Sequence, residues 1–363
     1  MAENNSNLKF FLTVGALLLA GAAVFTAQNI FDDYKIRILN LAAVYVILGL
    51  GLNVINGFTG LFSLGHAGFM MIGAYTAALL SMPPAAKAMN FYMKPLIAPL
   101  TDVHLPIGLA LPAAGLVAAF FGLLIAAPVL RLKGDYLAIA SLGFAEIMRV
   151  LFTMAQSITN GALGLKGIPS INSMYFYWTT ALVTLILVKQ LVNSSYGRAL
   201  KAIRDDEIAA EAMGINLFYH KVLSFSTGAF FAGIGGALLG FLVTTIDPNM
   251  FTFLQTFNIL MIIVLGGLGS LTGTVISAII VAVMMEVLRI VDAPINLGFI
   301  SLPGVAGMRM VIFSLLLLLV ILFYQHGIMG TREFNWNWII NKIKHNGDIG
   351  KKGGKSHGAV GNG

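Results

Sequence analysis

Runs of about 20 apolar residues, separated by short polar links, recur along almost the whole of this 363-residue chain. Twenty residues of helix rise about 30 Å, the depth of a bilayer's hydrocarbon core. Inside that core a chain must satisfy its own backbone, and helices do so within one segment. The runs fall at 8–27, 36–56, 58–80, 106–130, 135–156, 174–192, 221–243, 254–268, 274–291 and 304–325. The expected fold is therefore all-α, a polytopic membrane protein of about ten transmembrane helices. Composition agrees: 58% of residues are hydrophobic and only 10% charged, against about 25% charged in a soluble domain. The 40 glycines suit close packing of helices that lipid does not drive together. The first run reads as a span rather than a signal peptide. It exceeds the usual 7–15-residue apolar core of such a peptide, and many spans follow it.

Two runs carry interruptions. The third opens with Gly57-Phe58-Thr59-Gly60-Leu61-Phe62-Ser63-Leu64-Gly65-His66, and the eighth ends in Gly266-Gly267-Leu268-Gly269-Ser270. One or both are expected to be broken or re-entrant. Irregular backbone at membrane depth survives only where protein or a wet cavity satisfies it, so such stretches point toward a transport path.

Lys and Arg in the links set the orientation. With ten crossings and the N-terminus inside, thirteen of them fall inside, among them Arg131, Arg198, Lys201, Arg204, Lys221 and the tail lysines. Five fall outside: Lys35, Arg37, Lys87, Lys94 and Lys166. Both termini are thus expected in the cytoplasm of a cell (inner) membrane. Residues 1–330 are expected to form the membrane domain, with a charged inner segment at 193–220. Residues 331–363 form a basic tail, Gly- and Lys-rich and disordered at its end. The tail's basic residues suit the bilayer surface, and no nucleic-acid partner is expected.

The chain has no cysteine, which excludes disulfides, thiolate metal sites and thiol nucleophiles. Asn160-Gly161-Ala162-Leu163-Gly164-Leu165-Lys166-Gly167 is Gly-rich but lacks the spacing and hydroxyl of a phosphate-binding loop. No catalytic residue, metal site or cofactor is expected, and any ATP must be bound by another subunit. Six His are a thin inventory for an intramembrane enzyme.

The inner segment is the most informative. Ser194 and Ser195 are candidate N-caps for a helix through Arg204. Asp205-Asp206-Glu207 offers a break and a second N-terminus. Ile208–Met213 is Ala-rich, and Gly214 is a C-terminal stop. Two short helices along the inner surface are expected. A solvated loop with routine charge pairs is the plainer alternative.

Gly197-Arg198-Ala199, then Asp205 through Asn216, resembles the cytoplasmic coupling segment of branched-chain amino-acid ABC transporter permeases. Arg131 to Ala140, Leu142 to Arg149, Val264 to Ser270 and Gly65 to Phe69 resemble further stretches of the family, in family order over about 36–325. The resemblance is to the larger of the two paired permeases. It implies a second permease subunit, two ATP-binding subunits docked from inside, and an extracytoplasmic substrate-binding protein. It also implies a coupling role for Ala209, Ala210 and Gly214. Gly197, Arg198, Arg204, Asp205, Glu207 and Glu211 are the charged or hinge neighbours expected to contact the ATPase. Glu207 stands one residue early for the Glu-Ala-Ala pattern of the wider importer class.

Glu146 and Arg149, and Glu286 and Arg289, sit at i and i+3 on their spans, each pair on one helix face. They can meet an amino acid's ammonium and carboxylate, or neutralise each other and tie helices together. His66 is either a path residue or a cap for backbone freed where a helix breaks. These five are the candidate path residues. The cargo reading is branched-chain or similar small amino acids. Urea or short amides fit the same machine, and an ion-gradient-driven secondary transporter is the alternative of another class.

Overall fold

The computed structural model describes residues 15, 18–19, 21–132, 134–292, 295–296, 301–302, 307–323, 327–330 and 333. Residues 27–332 pack as one unit. Residues 1–26 with 333–363 form another, in which 21–26 are helical. Most of the first expected span before residue 21, and the tail apart from Glu333, lie outside the described residues.

The main unit is helical. Its principal helices are α1 (Asp33–Asn53), α2 (His66–Ser81), α3 (Pro84–Asn90), α4 (Ile107–Val129), α5 (Asp135–Met154) and α6 (Met174–Asn193). They continue with α7 (Ser195–Asp205), α8 (Glu207–Ala212), α9 (Leu217–Val243), α10 (Phe253–Gly266), α11 (Leu271–Val287) and α12 (Met308–Phe323). Among the described residues six helices are long and apolar enough to cross a membrane: α1 with its extension to Phe58, α4, α5, α6, α9, and α10 with the turn before it. The apolar α11 is shorter. Two-residue antiparallel ladders join β1 (Leu165–Lys166) to β2 (Thr245–Ile246), and β3 (Ile295–Asn296) to β4 (Ser301–Leu302).

The centre is built by α1 and α9. Helix α9 packs on α1, α2 and α4, while α1 also meets α6, α10 and α11. Glycine makes this possible. A Cβ on Gly73 of α2 would lie 2.2 Å from the Gly233 carbonyl oxygen, and one on Gly236 only 2.0 Å from that of Met70. Backbones meet there with no room for a methyl group, the small-residue packing that lipid-embedded helices use. The outward faces are apolar too. Leu109, Leu116, Phe120, Leu123 and Leu124 on α4, and Leu315, Leu318, Leu319 and Leu322 on α12, are all exposed. A surface this apolar is the wrong one for water and the right one for lipid.

Both expected interruptions are real. Helix α1 loosens into a π-turn at Val54–Phe58, and residues 59–65 are not helical before α2 starts at His66. Helix α10 stops at Gly266, and a non-helical turn over 267–270 precedes α11. The turn at 327–330, beyond α12, donates Ile328 N–H to the Leu265 carbonyl (2.8 Å) and Met329 N–H to that of Gly266 (3.1 Å). It thereby satisfies carbonyls that the end of α10 leaves open.

Candidate functional site

The two interruptions meet. Asn53, the last residue of α1, is fully buried and clips the second break to the first. Its Nδ2 donates to the Ser270 carbonyl (3.0 Å) and to Thr274 Oγ1 (2.8 Å), and its Oδ1 accepts from Gly269 N–H (2.9 Å). Thr59 Oγ1 donates to the Val54 carbonyl and shares a 2.6 Å hydrogen bond with Ser224 Oγ of α9. Asn56 closes the non-helical stretch by accepting from Ser63 N–H at 3.3 Å. Every residue in this knot is small, amide or hydroxyl. Such side chains can supply the bonds that a broken helix has lost.

The inner segment folds as its caps dictate. Ser194 Oγ accepts from Gly197 N–H to start α7, and Asp206 accepts from Ile208 and Ala209 N–H (2.8 and 3.0 Å) to start α8. Gly214, at φ +84°, ends α8 in a left-handed turn, and Ile215 N–H returns to the Ala210 carbonyl. This is the Schellman-type ending that glycine permits. Leu200, Ile203 and Ala210 are buried beneath the pair, whereas Ile208 and Met213 stand 82% and 83% exposed.

Arg204 points inward. Its Nε and Nη2 are held by Asp205 Oδ1 at 3.0 and 2.9 Å, and its Nη1 donates to the Gly57 carbonyl at 3.3 Å. Its stem covers Gly60, where a Cβ would come within 3.0 Å of Arg204 Cγ. A Cβ on Gly269 would come within 2.9 Å of Nη1. Lys201 lies over the Phe58 ring at 5.7 Å. Glu207 is bound to Lys221 of α9 at 2.6 Å, tying α8 to the bundle. Arg198 bonds Ser195 Oγ, and Glu211 is exposed.

A model of the family described as "branched-chain amino acid transport system / permease component" matches residues 34–323. The chain belongs to this permease family. It is 35% identical over 315 residues to the high-affinity branched-chain amino acid transport system permease protein LivM of Escherichia coli K12, covering 77% of this chain and 68% of that one. The Salmonella typhimurium protein of the same name is 34% identical over 289 residues, covering 70% and 64%. The chain thus spans about two thirds of the length of these two relatives. The E. coli K12 permease protein LivH is 26% identical over 316 residues, covering 81% and 93%.

The remaining candidate residues of this permease lie apart from the knot. Glu146 and Arg149 form a 2.7 Å ion pair, and Arg149 also reaches Asn249 at 3.4 Å, at the far end of the bundle from α7 and α8. Glu286 and Arg289 pair at 3.2 Å at the end of α11, where Tyr34 Oη donates to Glu286. Both pairs are closed within the chain. His66 begins α2 and is 1% exposed, with the Leu48 backbone of α1 beside its ring. The amides freed on either side of it are met by hydroxyls. Thr256 Oγ1 accepts from Ala67 N–H and Ser141 Oγ from Leu64 N–H, both at 2.9 Å. A hydroxyl on a short side chain fits beside a bare amide more easily than an imidazole ring does.

The sequence did not expose Asn53, Ser141, Thr256 or Ser224 as members of this site. Ser141 is a lone polar residue in an apolar run, a signal that could have found it, whereas Thr256, Ser224 and Asn53 have polar neighbours such as Gln255, Ser226 and Asn56 that leave them indistinct. The Gly-rich stretch at 160–167 is a turn followed by β1, with Asn160 at φ +61°.

Proposed function

We propose that this permease is the membrane subunit of an ATP-driven importer of branched-chain or similar small amino acids. Hydrolysis then takes place on two separate ATP-binding subunits. The observation that carries the proposal is the α7–α8 pair. It is a short, capped, rigid element at one end of the bundle, with Ile208 and Met213 outward and Leu200 and Ile203 packed inward. An ATPase needs such an element to push on, because a flexible link absorbs force instead of passing it. The basic residues of this end support placing it, and both termini, in the cytoplasm. The stronger likeness to LivM than to LivH supports a second, similar but distinct permease as the neighbour. An extracytoplasmic protein would deliver the cargo. Residues 1–330 serve as the membrane domain and 331–363 as its tail.

The cargo follows the naming of the relatives, which favours branched-chain amino acids over urea or amides. A secondary transporter would want carboxylates free to titrate or hold an ion. Glu146 and Glu286 each have an Arg partner instead. The test is uptake of labelled leucine by vesicles carrying this chain with its neighbouring permease, ATPase and binding-protein subunits. Uptake that stops on ATP depletion yet survives an uncoupler is the expected result. Uptake that follows a proton or sodium gradient without ATP sinks the proposal.

A further inference from the structure

We infer that Arg204 is not a docking residue for the ATPase. It is the positioning residue that carries motion of α7 and α8 to the two broken segments. The inference rests on the importer reading and adds to it the route by which coupling enters the membrane domain.

Three observations converge on it. First, the guanidinium is turned away from the exposed face. Asp205 grips Nε and Nη2 through one oxygen, which fixes the plane of the fork and aims Nη1 at the bundle. A planar group held at two nitrogens has little freedom left at the third. Second, that third nitrogen touches both breaks. It donates to the Gly57 carbonyl at the end of the π-turn, and it lies where a side chain on Gly269 would have to be. Third, both breaks are shaped around it by glycine. Gly60 (φ +74°) and Gly269 (φ +84°) adopt left-handed backbone, and a Cβ at either would run into the arginine.

The two breaks are themselves locked together by Asn53. A shift of α7 therefore cannot displace one break alone. Arg204 presses on a unit made of the end of α1 and the turn between α10 and α11. The exposed docking face and this inward wedge lie on consecutive short helices joined only at Asp206. Force applied at Ile208 or Met213 has one covalent joint to cross before it reaches Arg204.

The natural absence of cysteine makes the test direct. A single reporter, Leu268→Cys, sits in the second break, where Leu268 is 44% exposed. Its alkylation rate is measured in the assembled complex with and without a non-hydrolysable ATP analogue. Uptake, ATP hydrolysis and co-purification of the ATPase are read in parallel, with Arg204 intact, Arg204→Ala and Arg204→Lys. With Arg204 intact, nucleotide changes the alkylation rate. Arg204→Ala should still co-purify the ATPase and hydrolyse ATP, but lose the nucleotide-dependent change and about ten-fold in uptake, a common size for coupling between sites. Arg204→Lys keeps the stem over Gly60 and the charge but loses the fork that Asp205 holds, and should recover only part of the uptake and the alkylation response.

The assignment is overturned if Arg204→Ala responds to nucleotide as the parent does. It is also overturned if the alanine variant loses the ATPase from the complex, because Arg204 would then be a docking residue. If Arg204→Ala does not fold, Arg204→Lys decides: a folded lysine variant with no nucleotide response and unchanged uptake rejects the wedge. Failure of the parent complex to hold any ATPase would instead reject the importer reading itself.

Discussion

At the α7–α8 end of the bundle the backbone leaves the helix twice, and side chains from distant segments fill the gaps: Asn53, Thr59, Ser224 and Arg204. At the opposite end the links are stitched by a short backbone ladder, by backbone bonds between loops and by side chains that bond to backbone. Leu165–Lys166 pairs with Thr245–Ile246. Asn90 exchanges hydrogen bonds with both backbone groups of Lys166, at 2.8 Å each. Leu105 N–H reaches the Leu80 carbonyl, and Ile97 N–H that of Ser157. A ladder has one good register. A knot of side chains around two breaks holds them as one unit, with interrupted helices on either side of it. The comparison teaches that one end, the static end, is held in a single register, while the end facing the proposed ATPases gathers two breaks into one body on which α7 and α8 can push.

The largest expected effect comes from cutting the knot. Asn53→Ala leaves the buried Gly269 amide without its acceptor, while the Ser270 carbonyl keeps the amide and hydroxyl of Thr274. An unmet buried amide costs about 1–3 kcal/mol and each of the two other lost bonds about 0.5–1.5 kcal/mol, so the variant should lose about 3 kcal/mol. Thermal unfolding of the purified chain in detergent would fall by several degrees, and an unchanged midpoint would mean that the clip carries no stability. Asn40, on the same helix, provides the contrast. It is fully buried and neither polar atom of its side chain has a hydrogen-bond partner. Asn40→Leu should therefore be neutral or stabilising, since it removes an unmet amide from an apolar site.

The next effect tests the static end. Lys87, one of the charges that the orientation reading places on the outer side, is 1% exposed, and its Nζ donates to the Leu100 and Val103 carbonyls at 2.8 and 2.5 Å. Lys87→Met should loosen the segment 84–105 by about 2 kcal/mol, two charged hydrogen bonds less the gain of an apolar side chain. Faster protease cleavage within 91–103, with the rest of the chain intact, would report it. Burial lowers the Lys87 pKa, with the Asp102 charge acting the other way. A base whose folded pKa is depressed is penalised while charged. That penalty is relieved as pH rises through the folded value toward 10.5. Protection of this segment should therefore hold or grow in alkaline buffer, where a surface lysine's contacts would fade. A neutral amine still has two N–H groups for its two carbonyls.

A smaller effect belongs to Glu207. Its bond to Lys221 ties α8 to α9, so Glu207→Gln should cost about 1 kcal/mol, a partly exposed ion pair reduced to a hydrogen bond. The unfolding midpoint would shift slightly while the ATPase stays bound. Loss of the ATPase with no change in stability would instead make Glu207 an intermolecular contact.

What the sequence makes legible here is local. The caps Ser194 and Asp206 and the stop at Gly214 lie within a few residues of the helices they bound, and the glycine clusters mark both breaks. The helix ends follow from the apolar runs to within a few residues for α4, α5 and α6, because lipid thickness sets their length. The meeting of the two breaks is not legible, because it joins residues more than 200 positions apart. The inward aim of Arg204 is hidden for the same reason. In the sequence it sits beside Asp205 as half of an ordinary surface pair, and only the glycines opposite it reveal that it has left the surface.

The smallest effect bears on Glu146 and Arg149. These residues pair with each other at 2.7 Å, and Arg149 also binds Asn249, which anchors α5 to the turn after β2 at the static end. A path residue must release its partner each time cargo passes, and a ladder-stitched end is a poor place for that. Glu146→Gln alone should cost about 1 kcal/mol, because it leaves a half-buried Arg without its counter-charge. Adding Arg149→Gln should recover most of that loss, since the two changes are coupled. Leucine uptake by the double variant should stay within about two-fold of the parent, the range of changes away from a working site. Uptake that collapses in the stable double variant would move the path to this pair and reverse the assignment of the two ends.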